Sequence, residues 1–153
     1  MEKSFDFEYL GKMRKREVFF NPEGLDSVDC RLVEEIGIRV IKKAQDEDVL
    51  DRCTFFAEPG LKALEEIVSE TPRITEPEIR GCDSNVFNQH YWVEFTLKKG
   101  MRKVIIDPIF GYVGLLSKSS NTSGNEYYKH SRHVIPRKHF SEGGVNINTN
   151  RVM

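Results

Sequence analysis

The segment NQHYWVEFTLKKGMRKVIIDPIFGY, Asn88 to Tyr112, constrains the fold more than any other part of the chain. Its apolar and polar residues alternate, the signature of a half-buried strand. Tyr91, Val93, Phe95 and Leu97 fall on one face, and His90, Trp92, Glu94 and Thr96 on the other. A second strand, Met101 to Asp107, follows a short polar break. A four-residue loop, Leu97-Lys98-Lys99-Gly100, pairs Thr96 with Met101 and sets Glu94 opposite Lys103, Trp92 opposite Ile105 and His90 opposite Asp107. Gly100 supplies the positive φ that such a turn needs. Directly opposed residues have Cβ atoms roughly 5 Å apart, so this register predicts a carboxylate holding an imidazole.

Helices are expected upstream of the hairpin. In residues 26–45, Val28, Leu32, Val33, Ile36, Val40 and Ala44 recur at helical spacing. Asp26, Ser27 and Asp29 are candidate N-caps, and Lys42 and Lys43 suit the negative end of the helix dipole. Gly37 in mid-helix costs about 1 kcal/mol against alanine, which close packing on another element would explain. Pro59 reads as the first-turn proline of a second helix running to about Glu70, with Leu61, Leu64, Ile67 and Val68 on its buried face and Thr71-Pro72 ending it. Phe5, Phe7 and Tyr9 alternate, as in a short strand. The stretch from Pro72 to Gly81 reads as extended and irregular, and Val113 to Leu116 as a strand tail. Ser117 to Glu126 is a polar loop by composition. The fold class expected is α+β, with N-terminal helices packed on an antiparallel sheet. The 153 residues suit one domain, 1–153, with a mobile C-terminal segment from about residue 141.

No run of about 18 apolar residues is present, so no membrane span is expected. The first twenty residues lack the apolar stretch and cleavage site of a signal peptide, and a cytoplasmic location is the expectation. Three cysteines, Cys30, Cys53 and Cys82, form neither an even set nor a C-x-x-C pair; reduced thiols follow. The net charge of −1 is unevenly spread. Residues 1–100 carry 15 basic and 21 acidic groups, a balance of −6, and residues 101–153 carry 8 and 3, a balance of +5. The basic excess concentrates in Lys129 to Phe140. Read functionally it is a nucleic-acid footprint; read as charge runs usually behave it is a solvated segment. The slightly acidic whole chain argues against nucleic acid as a partner. His130, His133 and His139 lie among Lys and Arg, which repel cations, so no metal is expected.

The paired His90 and Asp107 are the logic of nucleophilic catalysis, in which a carboxylate orients an imidazole that activates a thiol. Cys30 is the first candidate nucleophile, because the start of a helix lowers a thiol pKa; Asp26 and Asp29 oppose that. Cys53, among Val49, Leu50, Phe55 and Phe56, has core-like company. Cys82 lies only eight residues before His90 but opens no helix. Which cysteine attacks stays open on these grounds. Trp92, on the face of His90, is a candidate wall of the substrate site. Glu94 reads as the partner of Lys103. Asn85, Asn88 and Gln89 are amides that could donate to an oxyanion, although loop solvation is the better account of them.

At these residues the chain resembles the transglutaminase-like superfamily, whose broader clan includes the papain-like cysteine proteases. His90-Tyr91-Trp92-Val93-Glu94 is similar to that family's H-x-W-x-E strand, and Ile106-Asp107-Pro108 to its D-P strand. The order is also similar: a cysteine at a helix start, then histidine, then aspartate on adjacent strands. The resemblance covers mainly residues 88–114, and Cys30 is followed by Arg31 rather than by the family's usual small or aromatic run. It implies thiol acyl-transfer chemistry without a cofactor. The function expected is therefore a cysteine-dependent amide hydrolase or acyltransferase, thiol-protease-like, using Cys30, His90 and Asp107 on a peptide or protein amide. The alternative is a non-catalytic scaffold of the same fold that binds a protein partner.

Overall fold

A computed structural model of the chain describes residues 2–9, 11–46, 53–82, 90–115 and 133–135; at several element ends, Cys53, Cys82 and His90 among them, it describes the backbone alone. The chain opens with a β-hairpin, β1 (Glu2–Tyr9) and β2 (Lys12–Asn21), turned through Gly11 at φ +76. Two helices follow, α1 (Ser27–Asp46) and α2 (Cys53–Glu70). The remaining strands are β3 (Ile74–Cys82), β4 (His90–Leu97), β5 (Arg102–Asp107), β6 (Tyr112–Leu115) and β7 (His133–Ile135). They form one sheet in the order β1-β2-β6-β5-β4-β3-β7. Every pairing is antiparallel except β2 with β6, which is parallel. The α+β class agrees with the sequence, but the helices come after a hairpin, and the sheet is mixed.

Burial of apolar side chains fixes how the layers meet. Odd-numbered residues of β4 (Tyr91, Val93, Phe95, Leu97) join Val104 and Ile106 of β5, Val113 of β6 and Val18 and Phe20 of β2 in one core with both helices. From α1 come Val33, Ile36, Val40 and Ile41, and from α2 Leu61, Leu64 and Ile67, each stripe at the spacing that keeps one helical face inward. Helix α1 covers β1, β5 and β6, and α2 covers β3 and β4. Gly37 is where α1 crosses β6: a Cβ there would lie 2.6 Å from both methyls of Val113, so only glycine admits this approach. Asp26 caps α1, its Oδ1 accepting the Asp29 amide at 2.8 Å.

Helix α2 begins six residues before Pro59, which lies inside it rather than in its first turn. The stretch before Gly81 is a strand, β3, whose irregularity is a bulge between Thr75 and Glu78 with Glu76 at φ +54. The polar loop from Ser117, most of the basic run Lys129–Phe140 and the segment from residue 141 lie outside the described residues; His133–Ile135 pairs with β3. Among the described residues no helix is long and apolar enough to cross a membrane.

Candidate active site

The β4–β5 hairpin is present, but its register is two residues away from the expected one. Leu97 pairs with Arg102, Thr96 with Lys103, Glu94 with Ile105 and Val93 with Ile106. The loop is Lys98–Met101, closed by the Met101 amide donating to the Lys98 carbonyl at 3.2 Å, with Gly100 at φ +79 and Met101 at φ +49. The shift is even, so every side chain keeps its face. It corrects the pairing of His90 with Asp107: carried one residue further, the ladder sets Trp92 opposite Asp107 and makes His90 its diagonal neighbour, at about 7–8 Å.

The even-numbered face of β4 lies away from the helices. Trp92 is fully buried there with Ile105 and Tyr112, and Phe19 packs beside them, its ring stacked on Tyr112 with centroids 6.2 Å apart. The Trp92 indole donates to Glu94 Oε2 at 2.7 Å. This corrects two expectations. A ring with no exposed surface offers substrate no contact, and Glu94 answers the indole, with Arg80 at 4.0 Å, instead of Lys103. Lys103 reaches Glu76 at 2.9 Å and Glu78 at 3.4 Å.

Asp107 is also completely buried on this face. Its Oδ1 accepts the amides of Ile109 and Phe110 at 2.9 and 3.0 Å, and its carbonyl accepts the Gly111 amide at 2.8 Å. The D-P-I-F-G run is thus a turn wound around its own aspartate. Arg16 of β2 donates to the carbonyls of Pro108 and Ile109 at 2.5 and 3.1 Å. Burial lowers the Arg16 pKa from its ordinary value, and the charge of Asp107 opposes that.

Cys30 does not join this group. It lies on α1 over the helix-covered face, its thiol 3.7 Å from the Leu25 carbonyl. The neighbouring Asp29 is buried and paired with Arg73 at 2.8 Å and Arg102 at 3.1 Å, and Arg102 also donates to the Gly24 carbonyl. The start of α1 is therefore pinned to the first residue of β5, whereas Asp107 is the last. Five residues of strand separate them by about 17 Å. Desolvation, then the charges of Asp26, Asp29 and Glu34, push the Cys30 thiol up from its ordinary pKa. Its place at the opposite end of β5 removes Cys30 from a triad with His90 and Asp107, and its raised pKa disfavours the thiolate.

Two other cysteines fall at the right end. Cys82 closes β3 directly opposite His90, which opens β4. Cys53 is the first residue of α2. The end of α2 leads into Ile74, opposite Leu97, and Gly60 packs against Val93, so the helix runs along β4 toward the β4–β5 turn. Seven residues back from Gly60 is about 10 Å of helix, and three residues back from Val93 to His90 is about 10 Å of strand. The N-terminus of α2 is thus level with His90. Helix α2 and Asp107 occupy opposite faces of the sheet, and the register places the His90 position on the face of Asp107. The signal that could have found this start is Phe56, Gly60, Ala63, Leu64 and Ile67, whose spacing carries the helical stripe back past Pro59.

Asn85, Asn88, Gln89, His130 and His139 lie outside the described residues. Among the described residues no three His, Cys, Asp or Glu side chains are grouped to hold a metal ion. Comparison with protein-family models, with curated proteins and with solved structures found no match for this chain.

Proposed function

We propose that the chain is a cysteine-dependent amide hydrolase or acyltransferase of transglutaminase-like architecture, with Cys53 in place of Cys30 as nucleophile, His90 as base and acid, and Asp107 as the group that orients His90. The observation that carries the reading is that Cys53 opens a helix whose N-terminus is level with His90, at the end of the sheet where Asp107 closes β5. A helix N-terminus carries about half a positive charge and favours thiolate over thiol. The order cysteine at a helix start, histidine, aspartate is then satisfied by α2, β4 and β5, which follow one another with only β3 between.

In the reaction His90 takes the thiol proton and the sulfur adds to the amide carbon of a peptide or isopeptide. The tetrahedral intermediate collapses as His90 returns the proton to the departing amine, leaving a thioester. Water or a second amine, deprotonated by His90, displaces the sulfur and gives the acid or the new amide. Asp107 fixes the imidazole tautomer and stabilises the imidazolium. No cofactor enters, and a reducing cytoplasm would keep the thiol free.

A specific observation favours a second nucleophile. Cys82 and His90 are register partners, with Cβ atoms roughly 5 Å apart as such pairs stand, and they share the face of Asp107. A labelled peptidyl vinyl sulfone separates these readings. We expect one adduct, on Cys53, abolished in His90→Ala. An adduct on Cys82 moves the nucleophile to β3. No adduct on the folded protein overturns the enzyme and leaves a partner-binding scaffold of the same fold.

A further inference from the structure

The β1–β2 hairpin reaches well beyond the sheet. Strand β2 pairs with β6 only from Phe19 to Asn21, while its pairing with β1 continues out to Tyr9 and Lys12. Phe19 is level with Tyr112 and hence with Asp107. The seven residues from Lys12 to Val18 therefore continue about 23 Å beyond the pairing with β6 as a two-stranded ribbon, with Val18 still in the core and Lys12 to Lys15 exposed.

Register sorts the ribbon's side chains into two unlike faces. Phe5 stands opposite Arg16, Phe7 opposite Arg14, and Tyr9 opposite Lys12. With Lys3 added, that face holds four cations, three aromatic residues and no acid. The reverse face holds Glu2, Asp6, Glu8 and Glu17 against the single cation Lys15. The chain's net charge of −1 hides this separation, because the two faces, +4 and −3, nearly cancel. Toward the sheet the cationic face is occupied: Lys3 pairs with Glu34 at 3.3 Å, Phe5 packs on the core, and Arg16 holds the 108–111 turn. Toward the tip, Phe7 is half-buried and Lys12 and Arg14 are exposed. The rings of Phe5 and Phe7 are 6.3 Å apart at their centroids, one step of a strand face.

We propose that the cationic face of the β1–β2 ribbon binds single-stranded nucleic acid, with Lys12 and Arg14 at the phosphates and Phe7 as a stacking platform for an unpaired base. Cations interleaved with aromatics along one strand face supply both halves of single-strand recognition, an electrostatic track and sequence-tolerant stacking. An acidic polypeptide would use the cations but gain nothing from the Phe7 ring. The proposal is independent of the thiol chemistry.

The test is fluorescence anisotropy of a labelled oligothymidylate of about 12 nucleotides titrated with the full chain at several salt concentrations. Two phosphate contacts on a single strand give a log–log salt slope of about −1.4. Phe7→Ala should weaken binding roughly tenfold, as loss of one stacked base does. The pair Lys12→Glu and Arg14→Glu should weaken it at least as much and flatten the slope. Lys15→Glu on the reverse face, compared with Lys12→Glu alone as the same charge change, should cost far less. Thermal melts of all variants check that the fold is kept; should Phe7→Ala fail to fold, the exposed charge pair decides. No binding at low salt overturns the proposal. So does binding that ignores these variants, which would place it elsewhere on the chain, or equal competition by polyglutamate, which would make the face an acidic-peptide site.

Discussion

The two ends of the sheet are built from the same kinds of residue and put them to opposite use. At the β4–β5 turn, each charge that α1 buries is answered: Asp29 holds Arg73 and Arg102, Arg102 also holds the Gly24 carbonyl, and Cys30 sits beside carboxylates that raise its pKa. At the other end Cys82 closes β3 opposite His90, Asp107 is buried at the close of β5, and Cys53 opens α2 over the other face of the sheet. A helix N-terminus is present at both. What separates them is the company: burial first, then Asp26, Asp29 and Glu34, raise the Cys30 pKa, whereas the first turn of α2 holds no acid, with Asp51 two residues ahead of it. A helix start is thus not a reactive site until its neighbours are counted.

That contrast can be broken by substitution. The largest effect belongs to Cys53→Ala, expected to remove acyl-transfer turnover by about 10⁴-fold or more while leaving the melting temperature nearly unchanged; turnover and a thermal melt on the same sample check both halves. Asp29→Asn should do the reverse. It leaves two guanidinium groups without their buried anion and should cost about 2 kcal/mol in urea unfolding, with turnover kept. Gly37→Ala sharpens the account of packing. Alanine gains about 1 kcal/mol of helix propensity, but its methyl meets Val113 at 2.6 Å, so a net loss of about 1–2 kcal/mol is expected from the same unfolding curve. The smallest effect is a pH slope at Cys30. A thiol whose folded pKa is raised keeps its proton while the unfolded chain, near its ordinary value of about 8.5, releases one. Stability should therefore fall as pH rises through that value and level off above the folded pKa, and Cys30→Ser should flatten the slope.

Much of this was legible in the chain. Alternation in β4 and the stripe of α1 each involve a single face and a single period, so they survive without knowledge of the neighbours. Gly37 announced a close approach because nothing else explains a glycine there. The register of the hairpin was not legible: Leu97–Gly100 and Lys98–Met101 are both four-residue loops of similar residues, and the choice depends on Arg102 reaching Asp29 and Gly24, contacts to a helix 73 and more residues away. The site suffered from the same limit. Cys30 and Cys53 both lie at helix starts, and only the direction in which each helix crosses the sheet tells which start falls at the His90 end of β4. Pro59 hid the second start, since a proline is at home in a first turn but here lies a turn and a half further in. The exchange of Glu94 and Lys103 for the indole and the β3 carboxylates likewise depends on β3, whose bulge no local pattern revealed.

The most direct test of the central claim is the rate of iodoacetamide labelling of the folded protein as a function of pH, with each modified cysteine located by mass spectrometry. The account expects Cys53 to react fastest, with a midpoint well below the ordinary thiol value that returns toward it in His90→Ala, and Cys30 to react slowly until alkaline pH. Fast labelling of Cys30 at neutral pH, or uniformly slow labelling of all three thiols, would contradict it.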